Sequence, residues 1–197
     1  MRSIYVIAIG CLVGFSACNG SGSNGTAGSD STKNAAPAPK LTTASKLSEN
    51  GTTMLMTVVT KYYNLKNSLV ATKSDAAGSA ATALTAAADS LQAFLAKDSA
   101  NKINLKPYLD TIITQSQAIT SLKDETCEKQ RLSFGTISSA MYGRLKTADL
   151  KNGRIYHEYC PMAFNDKGAF WLSDESEIKN PYFGKKMMEC GEVTDSL

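Results

Sequence analysis

The chain has 197 residues, 43% of them hydrophobic and 20% charged, which suits one folded domain with its own core rather than a disordered or membrane-embedded protein. Its formal charge is +3, and this falls to about +2 once the N-terminal segment bearing Arg2 is set aside. That is far below the basic density nucleic-acid binding needs, so nucleic acid is excluded as a partner.

The chain opens MRSIYVIAIGCLVGFSAC. Arg2 supplies a positive start, Ile4 to Phe15 an apolar run, and Ser16-Ala17 the small residues of a cleavage site, so residues 1–17 read as an export signal. The apolar run is too short for a stable spanning helix. Phe15-Ser16-Ala17-Cys18 resembles the lipobox of bacterial lipoproteins, with Phe15 where Leu is usual. The resemblance implies lipidation of Cys18, and with two or more acyl chains that anchor is stable. The expected location is therefore the cell envelope, outside the cytoplasm, with inner or outer membrane left open. Residues 18–45 are the lipidated cysteine and a Gly-, Ser-, Asn-, Thr-, Ala- and Pro-rich linker with almost no large apolar side chain, too little to repay the entropy of ordering.

Residues 46–197 are expected to form the working domain. Leu55, Val58, Val59, Tyr62, Leu65 and Leu69 recur at helical period and predict a first amphipathic helix. Ser74 and Asp75 predict the N-cap of a second, with Ala77, Ala80, Ala81, Leu84, Ala87, Leu91, Phe94 and Leu95 on its inner face. Pro107 suits the first turn of a third, carrying Leu109, Ile112, Ile113, Ile119 and Leu122. Asp124 caps a fourth, with Cys127, Phe134, Ile137, Met141 and Leu145 on its stripe. Four helices joined by short polar turns predict a mostly α fold, an antiparallel four-helix bundle. Arg154 to Tyr159 and Ala169 to Leu172 flank an Asn165-Asp166-Lys167-Gly168 turn and predict a small β-hairpin. Ser173 to Leu197 is punctuated by Asn180-Pro181, Gly184 and Gly191 and reads as turns with one short helical turn, completing a C-terminal hairpin and loop cap.

No phosphate loop, paired CxxC or HExxH is present, and His157 is the single histidine. Three residues apart on a strand, His157 and Cys160 point to opposite faces, which disfavours a nucleophile and base pair. Catalysis is not expected. Cys160 and Met162 lie in one short segment and Met187 and Cys190 in another; two apart on an extended chain and three apart on a helical turn, each pair shares a face. Four soft donors of this kind select Cu(I) over hard cations. The alternative is a Cys160–Cys190 disulfide formed outside the cytoplasm, with Met162 and Met187 filling core gaps. From spacing alone the two readings stand equal. His157 reads as a hydrogen-bonded ring rather than a ligand, and Cys127 as a buried free thiol.

The tail YCPMAFNDKGAFWLSDESEIKNPYFGKKMMECG resembles the signature of a domain-of-unknown-function family found in Bacteroidetes. Its members occur alone as lipoproteins and as C-terminal extensions of periplasmic adaptors of heavy-metal efflux pumps. The resemblance extends back through Arg131, Phe134, Ser138, Met141 and Tyr142 to Tyr62, Tyr63, Leu65, Lys66, Leu69 and Val70, so it covers about residues 50 to 193. Cys160, Met162, Met187 and Cys190 fall on its CPM and M-x-x-CG positions, while Met188 stands where the motif has another apolar residue. The triplet is also similar to that of small heavy-metal-binding domains, where His follows; here Ala163 follows Met162, so histidine ligation is not carried over. The resemblance implies binding of a soft metal, Cu(I), in handling or delivery to a heavy-metal efflux complex. The competing expectation is a disulfide-stapled module without metal that docks on an envelope complex through Phe170, Trp171, Tyr182 and Phe183.

Overall fold

The computed structural model describes residues 42–43, 47–147, 150–151 and 154–197. The expected signal, the lipidation site Cys18 and the linker up to residue 41 lie outside the described residues. The elements are β1 (Thr42–Thr43), α1 (Glu49–Val70), α2 (Ser74–Leu95), α3 (Ser99–Ser121), α4 (Glu128–Thr147), β2 (Leu150–Lys151), β3 (Tyr156–Cys160), α5 (Ala163–Asp166), β4 (Ala169–Ser173), a 3-10 turn (Gly184–Lys186) and β5 (Glu192–Ser196). The architecture is mostly helical, with four long helices followed by a small antiparallel sheet. No helix among the described residues is long and apolar enough to cross a membrane.

In α1 the Ser48 hydroxyl accepts from the Gly51 amide at 3.2 Å, an N-cap that satisfies one of the helix's orphan donors. Its far end closes in a Schellman motif, in which the Lys73 amide donates to Ser68 O and the Thr72 amide to Leu69 O. Thr72 takes the left-handed conformation, φ 53, that glycine usually supplies. The guanidinium of Arg131 steadies it, because one nitrogen donates both to Thr72 Oγ1 and to Leu69 O. The apolar stripe is buried as the periodicity predicts.

In α2 the stripe is Ala77, Ala81, Leu84, Ala88, Leu91 and Leu95, with alanine at three of the six positions, which lets helices approach closely. The N-cap is Lys73, without a side-chain cap bond, and not Ser74 or Asp75; the Schellman closure of α1 runs so directly into α2 that no separate capping residue fits. Phe94, expected inside, is 37% exposed and lies over Gly51 of α1. The start of α3 is also earlier than expected. Asp98 accepts from the Asn101 amide at 3.2 Å, capping the helix at Ser99, so Pro107 sits inside it. Asp124 does serve α4, its carboxylate accepting from the amides of Thr126 and Lys129.

Successive helices pack side by side, α1 on α2, α2 on α3 and α3 on α4, while α1 and α4 meet through long side chains, Tyr62 stacking on Phe134 and bonding Ser138, and Arg131 reaching Leu69 O. The C-terminal sheet adjoins both helices and is bonded to α1 through Tyr62 and Lys66. It has the order β4-β3-β5, all antiparallel, with β4 lying against α4. The hairpin of β3 and β4 is as expected, but β5 adds a third strand where turns were predicted. The hairpin connection contains three consecutive left-handed residues, Phe164, Asn165 and Asp166.

Two tyrosines replace the missing neighbour on the free edge of β4. Tyr62 of α1 accepts from the Leu172 amide at 3.0 Å and shares a hydrogen bond with Ser138 of α4 at 2.8 Å. Tyr182 donates to the Phe170 carbonyl. Edge groups that would otherwise be buried unpaired are thereby satisfied.

Candidate metal centre

Cys160 is the last residue of β3, opposite Ala169 of β4, and is fully buried. Cys190 comes from the loop between the 3-10 turn and β5, and its Sγ stands 3.0 Å from that of Cys160. A disulfide bond is about 2.0 Å long, so at this distance the two sulfurs are adjacent without being bonded to each other. The neighbouring Cys160 thiol and burial push the Cys190 thiol above its ordinary value. Two of the four expected sulfurs are thus brought together. Met162 follows in the turn after β3 with an αR backbone and is 46% exposed, so it does not continue an extended strand face from Cys160. Met187 is half-buried, and its carbonyl accepts from the Cys190 amide at 3.3 Å, which makes the two residues the ends of one turn.

The path of the chain into this corner depends on Gly191. It has φ +150, and a Cβ there would lie 2.8 Å from Trp171 Cη2 and 2.8 Å from the Tyr159 carbonyl. Only a residue without a side chain lets the backbone pass so close to β3 and set Cys190 beside Cys160. Trp171 is fully buried and edge-on to Tyr182, whose ring in turn neighbours Phe134 and Phe164. The sulfur pair therefore joins the same aromatic core that docks the sheet on the helices.

Asn180 holds the other side of the loop and is also fully buried. Its amide nitrogen Nδ2 donates to the Cys190 carbonyl at 2.6 Å, and its Oδ1 accepts from the amides of Tyr182 and Phe183. The sequence marks Asn180-Pro181 only as a turn.

On the same face of β3, Glu158 pairs with Trp171 across the ladder. Its carboxylate is buried with neither oxygen hydrogen-bonded, and the Trp171 indole N–H is also buried and outside hydrogen-bond geometry. Burial pushes the Glu158 carboxyl up to about 7 against the pull of nearby Lys66 and of the facing Trp171 indole N–H. Lys66 of α1 is 1% exposed and donates to Ser173 Oγ at 2.9 Å, with Asp174 at 3.5 Å. A signal for Lys66 exists in the sequence, since it sits four residues after Tyr62 and three before Leu69, on the buried stripe.

His157 faces the other way. Its Nδ1 lies 2.9 Å from Thr194 Oγ1, and that hydroxyl donates to the His157 carbonyl; the ring nitrogen is therefore the donor in their shared bond. Its ring lies stacked between Tyr142 and Phe170, with centroids at 3.7 and 4.6 Å. This is the hydrogen-bonded ring that the sequence suggested. Cys127 is buried too, and burial raises its thiol. Among the described residues no group of three or more His, Cys, Asp or Glu is placed to hold a metal, so donors beyond the two thiols have to be methionine sulfur or backbone.

Residues 58–153 match the model of a family described as a protein of unknown function (DUF3347). The matched stretch runs from the middle of α1 to just past β2, and ends before Cys160. No curated protein matches the chain, and no solved structure does.

Proposed function

We propose that this chain binds a soft metal ion, Cu(I), through the thiolates of Cys160 and Cys190 with Met162 and Met187 as thioether donors, and works as a lipid-anchored carrier outside the cytoplasm in heavy-metal handling. The observation that carries this reading is the 3.0 Å approach of two sulfurs that come from separate segments, each with a methionine two or three residues away. Thiolate and thioether ligands suit Cu(I), while Mg(II) and Ca(II) ask for clustered oxygens. The resemblance of the tail to proteins attached to efflux adaptors supports the wider role, with a heavy-metal efflux complex as partner and Cys18 as the anchor.

The second reading, a Cys160–Cys190 disulfide, is favoured by the same short distance. In that case the cap is stapled and no metal is held. The docking surface suggested for such a module is reduced, because Trp171 and Tyr182 are buried and Phe170, 43% exposed, is the most open of the four aromatics.

A competition titration of the reduced protein against a chromophoric Cu(I) chelator tests the proposal. Wild type is expected to hold one Cu(I) per chain, Cys160→Ser to lose at least tenfold in affinity and Met187→Leu to lose less, since the thiolate is the stronger donor. Equal, weak competition by wild type and Cys160→Ser, or a quantitative disulfide in the untreated protein, overturns it in favour of the staple.

A further inference from the structure

The two thiols belong to segments 30 residues apart, so something has to hold the Cys190 loop against β3. Backbone pairing does not reach it: β5 begins at Glu192, with Glu192 opposite Tyr159. What lies on the loop's other side is Asn180. Its backbone amide donates to the Met188 carbonyl at 2.7 Å, and its side-chain Nδ2 donates to the Cys190 carbonyl at 2.6 Å. A single residue thus meets two carbonyls two positions apart, as a neighbouring strand would.

The orientation of the amide is fixed. Its Oδ1 accepts from the Tyr182 amide at 2.7 Å and the Phe183 amide at 3.2 Å, so the nitrogen has to face Cys190. The Asn180 carbonyl in turn accepts from the Gly184 amide at 3.0 Å. Tyr182 is tied to the edge of β4 through Phe170, and the Pro181 carbonyl to Arg131 of α4 at 2.8 Å. Asn180 is therefore fastened to the rigid part of the molecule on one side and to the cysteine loop on the other.

We propose that Asn180 is the positioning residue of the sulfur pair: its side-chain N–H sets the Cys190 backbone so that the two thiols meet. Effective concentration depends steeply on such orientation, so losing one donor separates the sulfurs functionally while most of the fold remains. The metal arm of the test below rests on the proposed function; the redox arm does not.

Two variants isolate the donor. Asn180→Asp keeps both acceptor bonds to Tyr182 and Phe183 but has no hydrogen for the Cys190 carbonyl. Asn180→Ser keeps a local turn acceptor without charge and is too short to reach Cys190. Each full-length protein is equilibrated with glutathione and glutathione disulfide, where the dithiol plus glutathione disulfide gives the intramolecular disulfide plus two glutathione. Each is then titrated with Cu(I) under reductant. Leu84→Ala, in the fully buried stripe of α2, serves as a variant that lowers the melting temperature without touching the tail.

Both Asn180 variants are expected to shift the glutathione equilibrium toward the dithiol by roughly tenfold, about the effect of one lost buried hydrogen bond, and to weaken Cu(I) by a similar factor; Leu84→Ala leaves both unchanged. A shift in the glutathione equilibrium with no Cu(I) bound even by wild type upholds the positioning role and removes the metal function. Variants whose equilibrium moves no more than that of Leu84→Ala, or that unfold outright, overturn the assignment.

Discussion

Tyr62 of α1 accepts a hydrogen bond from the backbone amide of Leu172 in β4 at 3.0 Å, and through it the first helix and the C-terminal sheet become one structure. The same hydroxyl is 2.8 Å from Ser138, so three elements that follow one another slowly along the chain meet at one oxygen. Its ring stacks on Phe134 with centroids 5.2 Å apart, and burial holds the phenol proton on well beyond the usual range.

Replacing Tyr62 with Phe keeps the stacking and removes the oxygen, leaving a buried amide and a buried hydroxyl without it. The expected cost is about 1–3 kcal/mol, a fall in melting temperature of roughly 3–10 °C for a domain of this size. Tyr63 is the contrast. Its hydroxyl is buried with no hydrogen-bond partner, so Tyr63→Phe removes an unsatisfied group and is expected to be neutral or slightly stabilising. Thermal melts of the two variants side by side decide it. Equal losses would show that the bond to Leu172 contributes nothing.

The four helices were legible because each carries apolar residues recurring at helical period, and those of the first stripe are buried, although buried polar side chains such as Lys66, Ser116 and Arg131 interrupt the stripes. The cap was legible only where it is rich in aromatic and apolar residues. β3 and β4 announce themselves with Tyr, Phe, Trp and Leu, whereas all five residues of β5 are exposed, so its sequence has no inward face to betray a strand. Pro107 misled for a local reason: proline favours a first turn, but Asp98 caps the helix more than two turns earlier. At the sulfur site, the cysteine pairing followed from chemistry that spacing suggests, but Asn180 did not. A side chain that works by meeting a carbonyl ten residues away leaves no periodic trace.

Glu158 gives the metal-free protein a specific response to pH. Burial raises its carboxyl from 4.5 to about 7, so the folded state prefers the neutral acid. Between those values the unfolded chain has lost the proton while the folded chain keeps it. Stability therefore falls as pH rises through this window and levels off above it, by an amount on the order of 2–3 kcal/mol. Glu158→Gln is a neutral carboxamide of similar shape throughout and is expected to flatten the slope. Denaturant midpoints from pH 4.5 to 8, with chelator and reductant present, measure it. If the variant keeps the full wild-type slope, the response belongs to other groups.

The strongest expectation concerns the tail as a whole. Residues 154–197 supply Pro181, whose carbonyl accepts from Arg131; Ser173, which accepts from Lys66; and Leu172, bonded to Tyr62. Each of the three helix residues is buried. Removing the tail leaves a guanidinium and an ammonium short of partners in an apolar wall, and uncovers the faces of α1 and α4 that the sheet occupies. Truncation after Gly153, close to where the family match ends, is expected to abolish the sharp thermal transition, to bind a hydrophobic dye and to associate at micromolar concentration. Light scattering and a calorimetric scan of the truncated chain check this directly. A monomer that melts at the parent's temperature would mean that the helices close on their own and that the sheet, with its sulfur pair, is an appendage rather than a wall of the core.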